Sequence, residues 1–307
     1  MTIVLGLFVA LLLIALALLL VGEHGRFLCP STWRFLREGG LRRFVNLTTL
    51  HGYIYGCWTK QYIKLLLTGL ARASRADQRV AHRYHGKVLT PEQARSIITL
   101  DRDIPLRDLE QIIPYPVARD LVLKTPPEVA AYECACRAAR ANHCQPTQVC
   151  MVIGQPFVDF VLEHHPTSSR RLNQVEALRL LKAEHKRGHL HSAWFKDAML
   201  GRFYAICNCC KCCCGGIEAM TKYGIPMFAS SDYVSQVDEA FCTACSICQE
   251  ACPFEAINID GTAKVNWQVC MGCGVCVTKC PHGALSLMRD ERKGLPLDVN
   301  LLGQDDA

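Results

Sequence analysis

Several signatures of common enzyme chemistry are missing from this chain. There is no Cys-x-x-Cys-His, which excludes covalent c-type haem. There is no His-Glu-x-x-His, no Gly-x4-Gly-Lys-Ser/Thr and no Gly-x-Gly-x-x-Gly. Metalloprotease, P-loop nucleotide hydrolysis and ordinary dinucleotide binding therefore have no support in the sequence. No recognised nucleic-acid-binding signature occurs either, so nucleic acid is not an expected partner. No lysine or arginine precedes Arg26, and Val21-Gly22-Glu23-His24 is not a small-residue cleavage site. A cleaved signal peptide needs both a basic n-region and such a site. What the chain does have is cysteine, 20 among 307 residues, far more than a reduced intracellular protein carries unless the thiols bind metal. A disulfide framework is the rival account. It fails on the run Cys207-Asn208-Cys209-Cys210-Lys211-Cys212-Cys213-Cys214, whose neighbours cannot all pair with good disulfide geometry.

Near the C-terminus the cysteines are regularly spaced. Cys242-x2-Cys245-x2-Cys248-x3-Cys252-Pro253 is followed, 28 residues on, by Cys270-x2-Cys273-x2-Cys276-x3-Cys280-Pro281. The residues after each run also correspond, Pro-Phe-Glu-Ala-Ile-Asn-Ile against Pro-His-Gly-Ala-Leu-Ser-Leu, so this is an internal repeat. A zinc ribbon uses four ligands in pairs, not two runs of four each ending in Cys-Pro. The pattern resembles the bacterial-type ferredoxin that carries two [4Fe–4S] clusters. In that family the fourth cysteine of each run ligates the other run's cluster. The resemblance thus implies one cluster on Cys242, Cys245, Cys248 and Cys280, and a second on Cys270, Cys273, Cys276 and Cys252. Gly272 and Gly274 would let the backbone approach the inorganic core.

Ile3 to Val21 is an unbroken run of 19 apolar or small residues. As a helix it would span about 28 Å, close to the hydrocarbon thickness of a bilayer. Arg26, Arg34, Arg37, Arg42 and Arg43 follow it, so the positive-inside rule puts the rest of the chain on the cytoplasmic side. Residues 22–126 hold 17 Lys+Arg against 9 Asp+Glu, a surplus suited to anionic lipid headgroups. In 44–70, Tyr53, Tyr55, Trp58 and Tyr62 alternate with His51, Lys60 and Lys64. This suits either a helix lying in the membrane interface or a buried amphipathic helix.

Helix signals dominate the middle of the chain. Thr90-Pro91-Glu92-Gln93 and Thr125-Pro126-Pro127-Glu128 both read as capped helix starts. Arg171 to Gly188 carries an apolar stripe of Leu172, Val175, Leu178 and Leu181, with Gly188 placed to end it. Residues 71–235 therefore read as mainly helical, without a strand-rich core. Asp260-Gly261 between short apolar stretches is a hairpin signal. The expected fold class is α+β: a transmembrane anchor (1–22), a basic helical region (23–125), a helical cysteine-rich domain (126–235), a ferredoxin domain (236–290) and a tail (291–307).

Ten further cysteines lie between residues 134 and 214. Thiolates so close together repel as anions and oxidise easily unless a metal takes up their charge. Cys29 and Cys57, being isolated, read as small buried hydrophobes. The reading expects one or two additional [4Fe–4S] clusters. Cys134, Cys136, Cys144 and Cys150 would form one set, and Cys207, Cys210 and one or two of Cys212 to Cys214, with Cys213 and Cys214 preferred, would supply the other. Spacing alone does not fix the partition, and zinc is the leading alternative metal for either set. The stretch from Gly188-His189-Leu190-His191 to Cys210 looks like that of multi-cysteine iron–sulfur proteins of anaerobic bacteria and archaea, a likeness that assigns no activity. His164, His165, His189 and His191 read as ordinary loop or surface histidines.

A cluster held by four thiolates has no open coordination site, so its expected work is one-electron transfer. The expectation is a membrane-anchored electron-transfer subunit of an oxidoreductase complex. It would be held to lipid by its N-terminal helix and work between a soluble redox enzyme and another redox protein, with a quinone-linked partner as the candidate. Two other readings stand beside it: a reductase with a catalytic iron–sulfur site in 134–214, and a redox or iron sensor.

Overall fold

The computed structural model describes residues 6, 13, 16–17, 19–38, 47–70, 84–107 and 120–299. Residues 19–22 are helical, and α1 (Pro30–Glu38), α2 (Leu47–Cys57) and α3 (Thr59–Leu70) follow. Strand β1 (Tyr84–Leu89) and helix α4 (Pro91–Ile98) follow, then β2 (Ile104–Arg107), β3 (Asp120–Leu123), β4 (Val129–Glu133), the one-turn helix α5 (Ala135–Ala138) and β5 (Gln148–Ile153). Next come α6 (Phe157–His164), β6 (Ser169–Leu172), α7 (Gln174–Arg187), β7 (Leu190–Lys196), β8 (Arg202–Cys209), α8 (Gly215–Tyr223) and β9 (Phe228–Ala229).

The mainly helical middle is overturned: β1 to β9 form one nine-stranded sheet, with the order β6-β4-β5-β8-β7-β1-β9 and with β2 and β3 joined at the side of β8. Its central strands, Gln148–Ile153, Leu190–Lys196 and Arg202–Cys209, are buried almost throughout. A strand covered on both faces shows no period-2 alternation, and a short apolar run is not distinguishable from a buried helix by periodicity. The helices cover both faces. On one, α7 and α4 lie over His191 and Phe195 of β7, and His185 of α7 packs on His191 with ring centroids 5.3 Å apart. On the other, α2 brings Tyr55 onto Tyr204 of β8, the two hydroxyls 2.8 Å apart.

Two helix starts gave opposite outcomes. Thr90 caps α4 with a complete capping box to Gln93, and Asn173 caps α7 in the same way, while Gly188 ends α7 at φ 93°. Thr125-Pro126-Pro127 instead leads into β4, and Cys134 follows that strand as the cap of α5.

The membrane-spanning anchor and the single-pass localisation based on it are corrected. Among the described residues no helix is long and apolar enough to cross a membrane. Most of Ile3–Val21 lies outside the described residues. The residues just after it are tied to the protein: Glu23 is fully buried, accepts hydrogen bonds from the Cys29 amide and Thr32 hydroxyl, and sits 3.5 Å from His164 Nε2 of α6. Burial raises the Glu23 carboxyl, but those donors outweigh it and hold it below the usual range. Arg34, one of the basic residues assigned to lipid, donates to Asp159 of α6 at 2.9 Å. The aromatic helix of 44–70 is α2 and α3, with Tyr53 and Tyr55 buried against the sheet domain.

The C-terminal unit repeats itself in three dimensions. Strand β10 (Tyr233–Val237), helix α9 (Ile247–Ala251) and strand β11 (Ile257–Asp260) are matched by β12 (Thr262–Val265), α10 (Val275–Lys279) and β13 (Leu285–Arg289). β10 pairs with β13 and β11 with β12, and the second pair is the Asp260-Gly261 hairpin.

Candidate metal centres

The two C-terminal cysteine loops reverse through left-handed residues at equivalent places: Ala244 and Ser246 in the first, Gly272 and Gly274 in the second. Glycine is required at 272, because a Cβ there would fall 2.2 Å from the Tyr233 carbonyl and 2.3 Å from the Ser231 hydroxyl. The loops open two small cavities. One is lined by Cys242, Cys245, Cys248 and Cys280, the other by Cys252, Cys270, Cys273 and Cys276. The fourth cysteine of each run therefore sits with the first three of the other. Backbone amides point at sulfur in matched pairs: Ala256 donates to Cys252 and Ala284 to Cys280, each at 3.3 Å. Amide donors of this kind favour the thiolate that a metal needs. The cavities differ in exposure. Cys245, Phe241 and Ile247 are exposed around the first, whereas all four cysteines of the second are buried.

The ten cysteines of 134–214 separate into a six and a four, a partition different from the sequence-based one. The six form a closed ring of thiol contacts: Cys134 to Cys136 and Cys150, Cys136 to Cys214, Cys214 to Cys209, Cys209 to Cys207, and Cys207 back to Cys150. Every arc of the ring comes from a different element. Cys134 caps α5 and Cys136 lies in it, Cys150 is on β5, Cys207 and Cys209 share one face of β8, and Cys214 caps α8. Amides of Arg137, Gly215 and Ile217 donate to Cys134, Cys136 and Cys214. The neighbouring thiols Cys150 and Cys209, with burial, push the Cys207 thiol up, while interaction with Cys207 and Cys214 lowers that of Cys209. The ring borders a mainly apolar cavity of about 260 Å³ that Trp194 and Arg137 also line.

Arg137 is the charge at this site. It is fully buried, and its guanidinium donates to Pro146 O, to Glu184 Oε2 at 2.9 Å and to Asn208 O at 3.1 Å. Its Nε has no hydrogen-bond partner among the described residues. Burial works against the cation, but the neighbouring Cys210, Glu184 and Cys134 more than compensate and raise its pKa. Burial also raises Glu184, yet hydrogen bonds from His189 and Arg137 prevail and hold it low. The histidines have structural partners: His189 Nδ1 is 2.7 Å from Glu184, and His191 Nδ1 is 2.6 Å from Asn208 Oδ1.

The remaining four, Cys144, Cys210, Cys212 and Cys213, have sulfurs all within 4.8 Å of one another. Sequence reasoning left Cys209 out of the ligand sets, put Cys212 among the alternatives for the second set, and gave Arg137 no role. The alternation Cys207-x-Cys209 is the strand signal that pointed to Cys209. Glu23, Cys29 and His164 also converge within 4.8 Å, but they already satisfy one another and Thr32 by hydrogen bonding.

Residues 241–285 match the family model of the 4Fe-4S dicluster domain. This segment is an iron–sulfur electron-transfer module with two [4Fe–4S] clusters. No curated protein matches the chain.

The exchanged fourth ligands make a direct prediction. Cys252→Ala should disturb the cluster of Cys270, Cys273 and Cys276, and spare that of Cys242, Cys245 and Cys248, although Cys252 belongs to the first run. EPR of the reduced variant should keep a [4Fe–4S] signal without the splitting that two coupled clusters give. Cys280→Ala should remove the other, more exposed cluster.

Proposed function

We propose that the chain relays single electrons between its dicluster domain and a further [4Fe–4S] cluster held by four thiols of the six-membered ring. The observation that carries this reading is the aromatic bridge between the two sites. Trp194, on the wall of the ring cavity, packs on Phe228 with centroids 5.3 Å apart, and Phe228 packs on Phe254 at 5.8 Å. Phe254 lines the cavity of Cys252, Cys270, Cys273 and Cys276. The buried cluster of the dicluster domain thus faces the ring, and the other faces solvent, where a redox enzyme could dock. A second redox protein, a quinone-linked one being the candidate, would exchange electrons at the opposite end of the relay. Arg137 supports an anionic group in the ring, since its unpaired Nε–H can donate to sulfur there.

The test is EPR with iron and acid-labile sulfide analysis on anaerobically purified, dithionite-reduced protein. About 12 irons per chain, as three cubes require, with a signal beyond that of the coupled pair, is the expected result. Iron stopping at about eight, unaffected by Cys207→Ser, would overturn the relay and leave the ferredoxin module alone.

A reductase is the second reading, favoured by Lys196. This lysine is buried over the rings of Tyr55, Tyr62 and Tyr84 at 4.6, 5.0 and 4.3 Å, and burial lowers its pKa to about 7. Tyr55 and Tyr84 line the ring cavity, so an ammonium near neutrality could deliver protons there. Loss of substrate reduction in Lys196→Met with cluster reduction intact would favour it over the relay.

A further inference from the structure

We propose that Cys144, Cys210, Cys212 and Cys213 bind one zinc ion as a tetrathiolate, not an iron–sulfur cube. A single zinc with bonds of about 2.3 Å draws its four sulfurs to about 3.8 Å from one another. A cube carries each thiolate on a separate iron at its corners, so its ligand sulfurs stand wider apart. This chain contains its own standard for the comparison. The eight cysteines of the dicluster domain do not converge within 4.8 Å in any set of three, while Cys144, Cys210, Cys212 and Cys213 all do. Within the four, Cys144 lies 2.7 Å from Cys212 and 3.9 Å from Cys213, and Cys212 lies 3.2 Å from Cys213. No cube fits between sulfurs so close.

The backbone is arranged for a single ion. Residues 210–213 form a tight turn in which the amides of Cys213 and Cys214 both donate to the Cys210 carbonyl. That turn brings three thiols to one side of the chain. The fourth arrives from the loop between α5 and β5, where the Cys144 amide donates to Cys213 Sγ at 3.5 Å. Four thiolates on one dication leave a net negative charge. Arg137 lies near enough to Cys210 to offset part of it. All four ligand positions are protein sulfur, the closed shell of a structural zinc.

Zinc here would act as a clasp. It would fasten the 140–146 loop to the turn after β8, and that turn also carries Lys211, whose Nζ donates to the Glu250 carbonyl of α9 at 3.3 Å. The dicluster domain is thereby held against the sheet at the ring. The inference does not depend on electron relay: a zinc clasp can stand whether or not the ring holds iron.

The test is metal analysis and zinc-edge X-ray absorption on anaerobically purified full-length protein. About one zinc per chain, surrounded by four sulfurs at about 2.3 Å, is expected. Cys212→Ser should lower zinc at least tenfold with iron and sulfide unchanged, and Cys207→Ser should leave zinc at the wild-type level. If Cys212→Ser does not fold, Cys144→His decides the matter, since it should keep zinc with three sulfurs and one nitrogen. Wild-type protein with less than a tenth of a zinc per chain, or loss of iron and sulfide in Cys212→Ser or Cys144→His, would overturn the proposal.

Discussion

Replacing Arg137 by methionine is expected to strip iron from the cluster proposed for the six-thiol ring and to destabilise the fold by about 3 kcal/mol. Breaking a buried ion pair by removing one partner typically costs about 3–5 kcal/mol, because the other charge is left uncompensated. Here the abandoned charge is Glu184, fully buried on α7. The lower end of that range applies, since Glu184 keeps Arg187 at 2.6 Å and His189 at 2.7 Å. The cofactor effect is separate from the structural one. Among the side chains lining the ring cavity, Arg137 supplies the positive charge, and a cube with four thiolates is a net anion that an apolar wall cannot stabilise alone. The double variant Arg137→Met with Glu184→Met distinguishes the two effects. It should recover most of the stability, measured as the denaturant midpoint of tryptophan fluorescence, without recovering the iron. A single variant with full iron content would show that the guanidinium only braces Glu184.

The same contrast explains which parts of the molecule were legible in the sequence. The dicluster loops could be read because their ligands are local: three cysteines on one turn, a fourth four residues later, and a repeat after 28 residues. The six-thiol ring could not be partitioned in that way. Cys136 and Cys214 are far apart in sequence and meet only because β4, β5 and β8 pair in one sheet. That sheet was hidden for a related reason. Val149 to Ile153, Ala193 to Phe195 and Phe203 to Ile206 contribute buried strand segments whose two faces are both apolar, while Asn173, Glu176 and Gly188 advertise α7 plainly. Helix caps are local hydrogen-bond devices and so leave a mark in sequence, whereas a buried strand is defined by neighbours remote in the chain. Thr125-Pro126-Pro127 shows the limit of the local signal. Proline suits a strand entry as well as a helix start, and β4 with its partners β5 and β6 decided the outcome.

A larger loss of stability, about 3–5 kcal/mol, is expected for Lys87→Met. Lys87 on β1 donates to Asp232 Oδ2 at 2.5 Å and to the Leu295 carbonyl at 2.8 Å, with both charged side chains essentially sealed from water. Asp232 immediately precedes β10, so this pair joins the sheet to the dicluster domain. Unlike Glu184, Asp232 has no second ion-pair partner in hydrogen-bond contact among the described residues, and its Oδ1 has no hydrogen-bond partner among them. Burial pushes its carboxyl up to about 6 even with the attraction of Lys87 opposing. Burial also lowers Lys87, more than Asp232 raises it. Removing the ammonium should send the carboxyl higher still. A carboxyl with a folded pKa above its unfolded value of about 3.9 contributes stability at low pH, and that contribution is lost as pH rises through the folded value. Lys87→Met should therefore be closest to wild type near pH 4–5 and weakest above pH 7, with Asp232→Asn added to it flattening the dependence. Unfolding midpoints across that range check the sign. A variant equally weakened at pH 5 and pH 8 would mean that Lys87 acts through its packing and its bond to Leu295, not through the charge of Asp232.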